Sequence, residues 1–467
     1  MPWRVALLTS GIVLGPLLGA AMLRGPARHP MMRTLPLTPH ASYRVTIMDG
    51  ARPRAYILYR FDDSLSLLDT QAGTVLRTVA LSPQSPGIFA TGLVLDEMSD
   101  RLFIASDDRA IHMLDAGTLR PLNTAYLAEW TGSSLMALAR RTGVLFVVGT
   151  IPGAHVVSLF AARSGMLLRR LSGPYAYKGA ALDRRGRLFS IGYGTADVFV
   201  LDGTSAAPRP FRTIAGAPAG GFDSIASDPL IDLLYFAGLY GDRVYVIDAG
   251  AGASRRPIVV SGAVTAVLPT GVRDRALIAD GAGMLSLADA WRGRVLHAVR
   301  IGLGATLPYA LDAGHDHLFV WDPSGVVEEV ALRTGRILRT VRVGGTRLAR
   351  LVLNPATGHL LLLYRGSDSR AGHLGGSGSL RAVSLRGDPV GPNIALGPVP
   401  ELFGIDDRSG LAFVANARGD SGPSERIPGI AVSSWISLLR RWLPFVPVAL
   451  DRVPAGGTVS VLDAARL

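Results

Sequence analysis

Apolar positions in this chain fall in short runs closed by charged or turn-forming residues, and the runs recur. One reads 54–58 (RAYIL), 101–105 (RLFIA), 144–148 (VLFVV), 187–191 (RLFSI), 233–237 (LLYFA), 275–279 (RALIA), 317–321 (HLFVW), 359–363 (HLLLL) and 411–415 (LAFVA), nine copies in chain order. Short β-rich runs bounded by turn residues predict strands. A second run follows each after a few residues, as in 65–69 (LSLLD), 111–115 (IHMLD), 244–248 (VYVID) and 285–289 (LSLAD). Its terminal Asp suits an Asx turn, in which the carboxylate accepts from backbone N–H groups just ahead. A third strand ends in Arg-Thr-Val, at 73–79 and 335–341, and a fourth precedes the next unit, at 93–96 or 309–312.

Four short strands recurring every 42 to 47 residues is the period of a β-propeller. One unit cannot bury both faces of its sheet, so neighbouring units must stack. The sequence therefore predicts an all-β chain, a single propeller of four-stranded blades over 43–467, preceded by a linker at 25–42. The final unit lacks an outer strand, and joining it to the N-terminal unit as one composite blade gives eight blades. One strand is then spare, which leaves seven and nine as alternatives.

The segments 413–420 (FVANARGD) and 458–463 (TVSVLD) resemble the YVTN-repeat β-propellers, within the quinoprotein-dehydrogenase-like and lactonase-like propellers. The resemblance covers about residues 43–467. It implies architecture more than activity, because fold and function are separable in such families.

Composition supports folding: 48% of residues are hydrophobic and 18% charged, with 55 Gly and 30 Pro for turns. The net charge of +12 comes almost wholly from arginine, Lys178 being the one lysine. These arginines are spread along the chain with no basic block, unlike a nucleic-acid footprint. No nucleic-acid partner is expected; a bias toward Arg or an anionic membrane surface accounts for the charge. The chain has no cysteine, which excludes disulfides, zinc–thiolate sites, iron–sulfur ligation and cysteine nucleophiles.

Residues 5–23 (VALLTSGIVLGPLLGAAML) carry no charge. Nineteen such residues about span a bilayer as a helix, and Gly19 and Ala21 before Met22 equally suit signal cleavage. Residues 1–24 are thus read as a signal peptide or an anchor, and the protein as extracytoplasmic, periplasmic and secreted or anchored.

Two insertions interrupt the repeat in neighbouring units, each between second and third strands. The first, 365–378, is rich in Gly and Ser. The second, 421–457, places Val432, Trp435, Ile436, Leu439, Trp442 and Leu443 at helical spacing, with Arg440 and Arg441 elsewhere and Phe445 extending the apolar surface. Such a helix suits a membrane interface, a protein partner or packing on its own propeller. If 43–48 is the first inner strand, anchor and insertion are expected to approach the same bilayer.

Candidate chemistry is sparse. Asp62, Asp107, Asp108, Tyr193, Tyr240, Asp242, Trp321 and Asp322 lie in loops expected to line an axial ligand face. His315 and His317, two apart, suit one side of a strand start, with a solvated turn as the default. No phosphate loop, HExxH or GxSxG stands in context, and no cofactor, metal site or catalytic residue is predicted. The reading is a non-catalytic membrane-associated module for protein binding or assembly, its partner a membrane surface, a membrane complex or an unidentified protein. The alternative is a periplasmic enzyme or ligand-binding propeller, lactonase-like or dehydrogenase-like, with its site at the axial mouth.

Overall fold

A computed structural model describes the strands and most turns between residues 32 and 463. Outside the described residues lie 1–31, 37–42, 82–89, 203–208, 215–220, 303–307, 365–376, 417–457, 464–467 and several stretches of one to four residues. Among the described residues the strands form nine four-stranded antiparallel sheets. Blades 1 to 8 are continuous in sequence: 43–80, 90–126, 130–173, 177–213, 224–259, 264–300, 309–342 and 348–398. Blade 9 takes Pro400–Asp406, Leu411–Asn416 and Thr458–Asp463 from the C-terminal end and Met32–Pro36 from the N-terminal end.

Burial explains the apolar runs. In each blade the strands are a to d from the axis outward. Strand b of blade 1, Arg54–Tyr59, is buried at every position, and strand c, Ser64–Asp69, at all but the last. Both faces of these strands meet neighbouring blades, so they read as continuous apolar runs instead of alternating ones. Strand d, such as Ile337–Arg342, is largely exposed, which accounts for its Arg and Thr. The core is a ring of nine clusters, one at every blade-to-blade junction.

The closing junction packs Phe413 of blade 9 against Ala55, Ile57, Tyr59 and Leu68 of blade 1. Beside it the Thr70 hydroxyl donates to Asp406 Oδ2 at 2.7 Å. A Cβ on Gly404 would sit 2.8 Å from Met48 Cγ, so the two inner strands meet this closely only with glycine there.

Two expectations change. The N-terminal unit is a whole blade, Tyr43–Ala80, and does not share strands with the C-terminal unit; the outer strand of blade 9 is instead Met32–Pro36, within the stretch read as linker. Its pairing with Thr458–Asp463, from Met32↔Leu462 to Pro36↔Thr458, gives nine blades where eight were expected. That strand also reverses the point of entry. Strand a and strand c run toward the a–b and c–d turns, and strands b and d run away from them. Met32 therefore starts at the face carrying those turns, opposite the face of the b–c hairpins. Tyr43–Met48 is the first inner strand, as expected, yet Met32 lies at the face opposite the b–c hairpins that bear the two insertions.

Candidate functional site

The face that the structure describes best is the one built from a–b and c–d turns. Its carboxylates are drawn inward. Asp69 Oδ1 accepts from the N–H groups of Gln71 and Ala72, both at 2.8 Å. Asp248 Oδ1 does the same for Gly250 and Ala251, at 2.9 and 2.8 Å, and Asp289 Oδ1 for Arg292, at 2.9 Å. Hydrogen bonds from the Thr118 hydroxyl and N–H hold the Asp115 carboxyl below its ordinary value, against a smaller effect of burial. These are the Asx turns predicted for the strand-terminal aspartates.

One population of arginines is structural. The residue that opens strand b reaches into the next blade. Arg54 binds buried Asp49 through Nη2 at 2.8 Å and also grips Asp100 of blade 2. Arg187 pairs with Asp183 and donates to the Ala249 carbonyl of blade 5 at 2.8 Å. Arg275 donates to the Leu332 and Arg333 carbonyls of blade 7, at 3.1 and 2.6 Å. A planar fork with five donors suits this stapling, whereas lysine would reach as a single point.

The second population points outward. Among the described turn residues, the a–b turns expose Arg140, Arg141, Arg184, Arg185 and Arg273. The c–d turns expose Arg120, Arg163, Arg256, Arg292, Arg333, Arg336 and Arg386. These twelve lie on blades 2 to 8, while Asp388 is the one exposed carboxylate among the described residues of the same turns. The cause is local: a short Asp side chain folds back onto its turn, and a long Arg stem carries its charge past it.

Blades 6 and 7 make a groove of about 600 Å³ on this face, lined by residues including Arg273, Asp274, Trp291, Arg292 and Arg333. The three arginine side chains are 79%, 66% and 73% exposed, with Asp partners at 3.9, 3.1 and 3.7 Å. Trp291 is 48% exposed, and Arg255 of blade 5 stacks on its ring at 3.6 Å. The turn is tight: Gly293 has φ 64°, and a Cβ there would collide with the Arg256 carbonyl. The sequence did carry this signal. Where other c–d turns read DTQAG, DAGTL and DAGAG, this one reads DAWRG.

The residues expected at an axial ligand face are not brought together by what is described. Asp62, Asp107, Asp108, Tyr193 and Tyr240 lie outside the described residues. Asp242 is exposed, with Arg243 Nε 3.8 Å away. Trp321 is buried in the cluster between blades 7 and 8. Asp322 Oδ1 accepts from Ser324 N–H at 2.7 Å and caps its hairpin. The insertion residues Val432, Trp435, Ile436, Leu439, Arg440, Arg441, Trp442, Leu443 and Phe445 also lie outside the described residues.

The two histidines of the HDH segment separate. His315 Nδ1 meets Asp312 at 2.8 Å in an exposed turn, and His317 Nδ1 meets buried Glu329 at 3.1 Å. No group of three or more His, Cys, Asp or Glu suited to a metal ion occurs among the described residues. No described helix is long and apolar enough to cross a membrane.

No family model matches the sequence, and no curated protein does. Solved structures do resemble it. The dihydro-heme d1 dehydrogenase NirN, in complex with DHE, aligns with TM-score 0.53 at 14% identity, covering 80% of this chain and 82% of its own. The computationally designed protein Ika8 aligns with TM-score 0.50 at 13% identity, covering 78% and 98%. BamB from Moraxella catarrhalis aligns with TM-score 0.45 at 13% identity, covering 78% and 100%. Such likeness establishes the propeller fold alone.

Proposed function

We propose that this chain is a non-catalytic propeller held at a membrane on the extracytoplasmic side, serving as a binding or assembly module for another protein. The observation that carries this reading is the outer strand Met32–Pro36 of blade 9. It brings the chain that follows the apolar run 5–23 to the turn face, while both insertions leave from b–c hairpins of blades 8 and 9 on the opposite face. Their stems are paired strand ends, Tyr364↔Ser379 and Asn416↔Thr458. The ring is then tethered on one side and presents its two departures from the repeat on the other, where loops carry binding.

In this reading Trp435, Trp442, Leu439 and Phe445 form the partner contact, in keeping with the enrichment of aromatic residues at binding hot spots. The test replaces 421–457 in the full chain by a short turn between Asn416 and Thr458. Native membranes carrying either chain are crosslinked and purified, with thermal melting to check the fold. A stoichiometric partner held by the full chain and lost from the deletion supports the proposal. An identical crosslinking profile from both chains refutes it.

A further inference from the structure

We propose that the turn face is a docking surface for an anionic lipid bilayer, its exposed arginines meeting headgroup phosphates and carboxylates. This rests on the membrane association proposed above and adds which face meets the lipid and what lipid it meets. Three observations converge. The first is the charge: the exposed arginines of the turns stand against one exposed carboxylate there among the described residues. Five of them have an acidic neighbour, Arg140 with Glu97, Arg184 with Asp232, Arg273 with Asp274, Arg292 with Asp289 and Arg333 with Asp316, but the arginine ends stand further out than those acids.

The second is distribution. Arg141, Arg185, Arg292, Arg333 and Arg386 sit on blades 3, 4, 6, 7 and 8. All lie at turns of one face, and so they are spread along an arc of the ring from blade 3 to blade 8. Groups placed around a ring cannot converge on one small anion. A planar array of headgroups can engage all of them at once. Trp291, Met98 and Met166 are exposed on the same turns, at 48%, 80% and 63%, and supply the aromatic and flexible apolar side chains that settle at headgroup level.

The third is the tether. Eight residues, 24–31, separate the apolar run from Met32, which starts at this face. Fully extended they reach at most about 29 Å, too little to carry the chain around the rim and keep the hairpin face on the bilayer. A basic surface beside one apolar anchor is the two-signal arrangement that holds a protein against lipid.

The test uses the full chain reconstituted in nanodiscs of phosphatidylcholine, with or without phosphatidylserine, and amide hydrogen exchange at 140–143, 183–187, 270–274 and 290–293. Exchange there is expected to slow by roughly ten-fold or more in the anionic discs only, and to recover in high salt as screening shortens the reach of each charge. Replacing Arg141→Glu, Arg185→Glu, Arg292→Glu and Arg333→Glu together should remove that protection while the melting curve stays in place. Equal exchange in the two discs by protein that remains bound overturns this docking face and leaves membrane association standing. Protein that stays with neither disc overturns both.

Discussion

Substituting Arg54→Met tests whether the stapling arginines belong to the framework. The Arg54 side chain is 11% exposed and that of Asp49 fully buried. Four side-chain hydrogen bonds would go: Nε and Nη2 to Asp49 Oδ2 at 3.2 and 2.8 Å, and Nη1 and Nη2 to Asp100. Asp100 retains Arg52 Nη1 at 3.0 Å and some solvent. Asp49 retains only the N–H groups of Ala51 and Arg52, on its other oxygen. Removing one partner of a buried pair costs about 3–5 kcal/mol, because the remaining charge has lost its compensation. For a chain of this length unfolding as a unit, about 2.1 cal/mol/K per residue makes each kcal/mol worth about 1 °C. Arg54→Met should then melt about 3–5 °C lower by calorimetry, whereas Arg141→Met, at an exposed turn, should stay within about 0.5 kcal/mol of the parent. Adding Asp49→Asn to Arg54→Met should recover about 1.5 kcal/mol or more, since the buried charge then goes as well. A loss below about 1 kcal/mol for Arg54→Met would refute the reasoning, and equal losses for Arg54 and Arg141 would erase the division between stapling and exposed arginines.

Other expectations follow from the same geometry. Phe413→Ala, which empties the closing junction, should cost about 3–5 kcal/mol in urea unfolding; a cost near that of a surface substitution would mean that the ring does not depend on this contact. The stack of Arg255 on Trp291 should show a coupling of about 0.5–2 kcal/mol in a double-mutant cycle with Arg255→Met and Trp291→Leu, and zero coupling would make it a chance proximity. Burial raises the phenol pKa of Tyr56, Tyr235, Tyr309 and Tyr364 above the ordinary 10.0, so the fold favours the neutral form. The unfolded chain releases those protons first. Their contribution is complete below about pH 10 and is lost as pH climbs toward the raised folded values. The urea midpoint should fall above about pH 10, and Tyr56→Phe with Tyr235→Phe should flatten that fall; an unchanged slope would count against the assignment.

The strands were legible because stacking makes their pattern simple. Strands b and c are buried on both faces, so RLFIA and HLFVW announce themselves without periodicity, and the nine copies of that run matched the nine blades. The count of eight arose where the signal is weakest. Outer strands face solvent, and MRTLP at 32–36 has neither the apolar run nor the terminal Asp of a repeat element. What makes it a strand is the free edge of Thr458–Asp463, more than 400 residues away. The groove at Trp291 was hidden for a different reason: the eye follows strands in a repeat, and the deviation sits in a turn. Reading the four c–d turns against one another brings Trp291 and Arg292 out at once.

Scatter of the arginines along the chain argues against a basic block of the nucleic-acid kind, but it does not keep them apart in space. In a propeller every blade returns two turns to the same face, so a basic residue placed once per 42 to 47 residues becomes a ring of charge. Even spacing in sequence is the pattern that produces concentration in space. The same geometry sorts the arginines by position. One that opens strand b, such as Arg54 or Arg275, lies low enough to reach the neighbouring blade and is paired with a carboxylate, Asp49 and Asp100 for Arg54 and Asp289 for Arg275. One in the turn itself stands clear of the sheet and stays largely exposed, as do Arg273 and Arg292 even with Asp274 and Asp289 beside them. Net charge alone cannot tell these apart, and only the second population contributes to a potential felt beyond the surface. The bilayer docking proposed above draws on this second population alone.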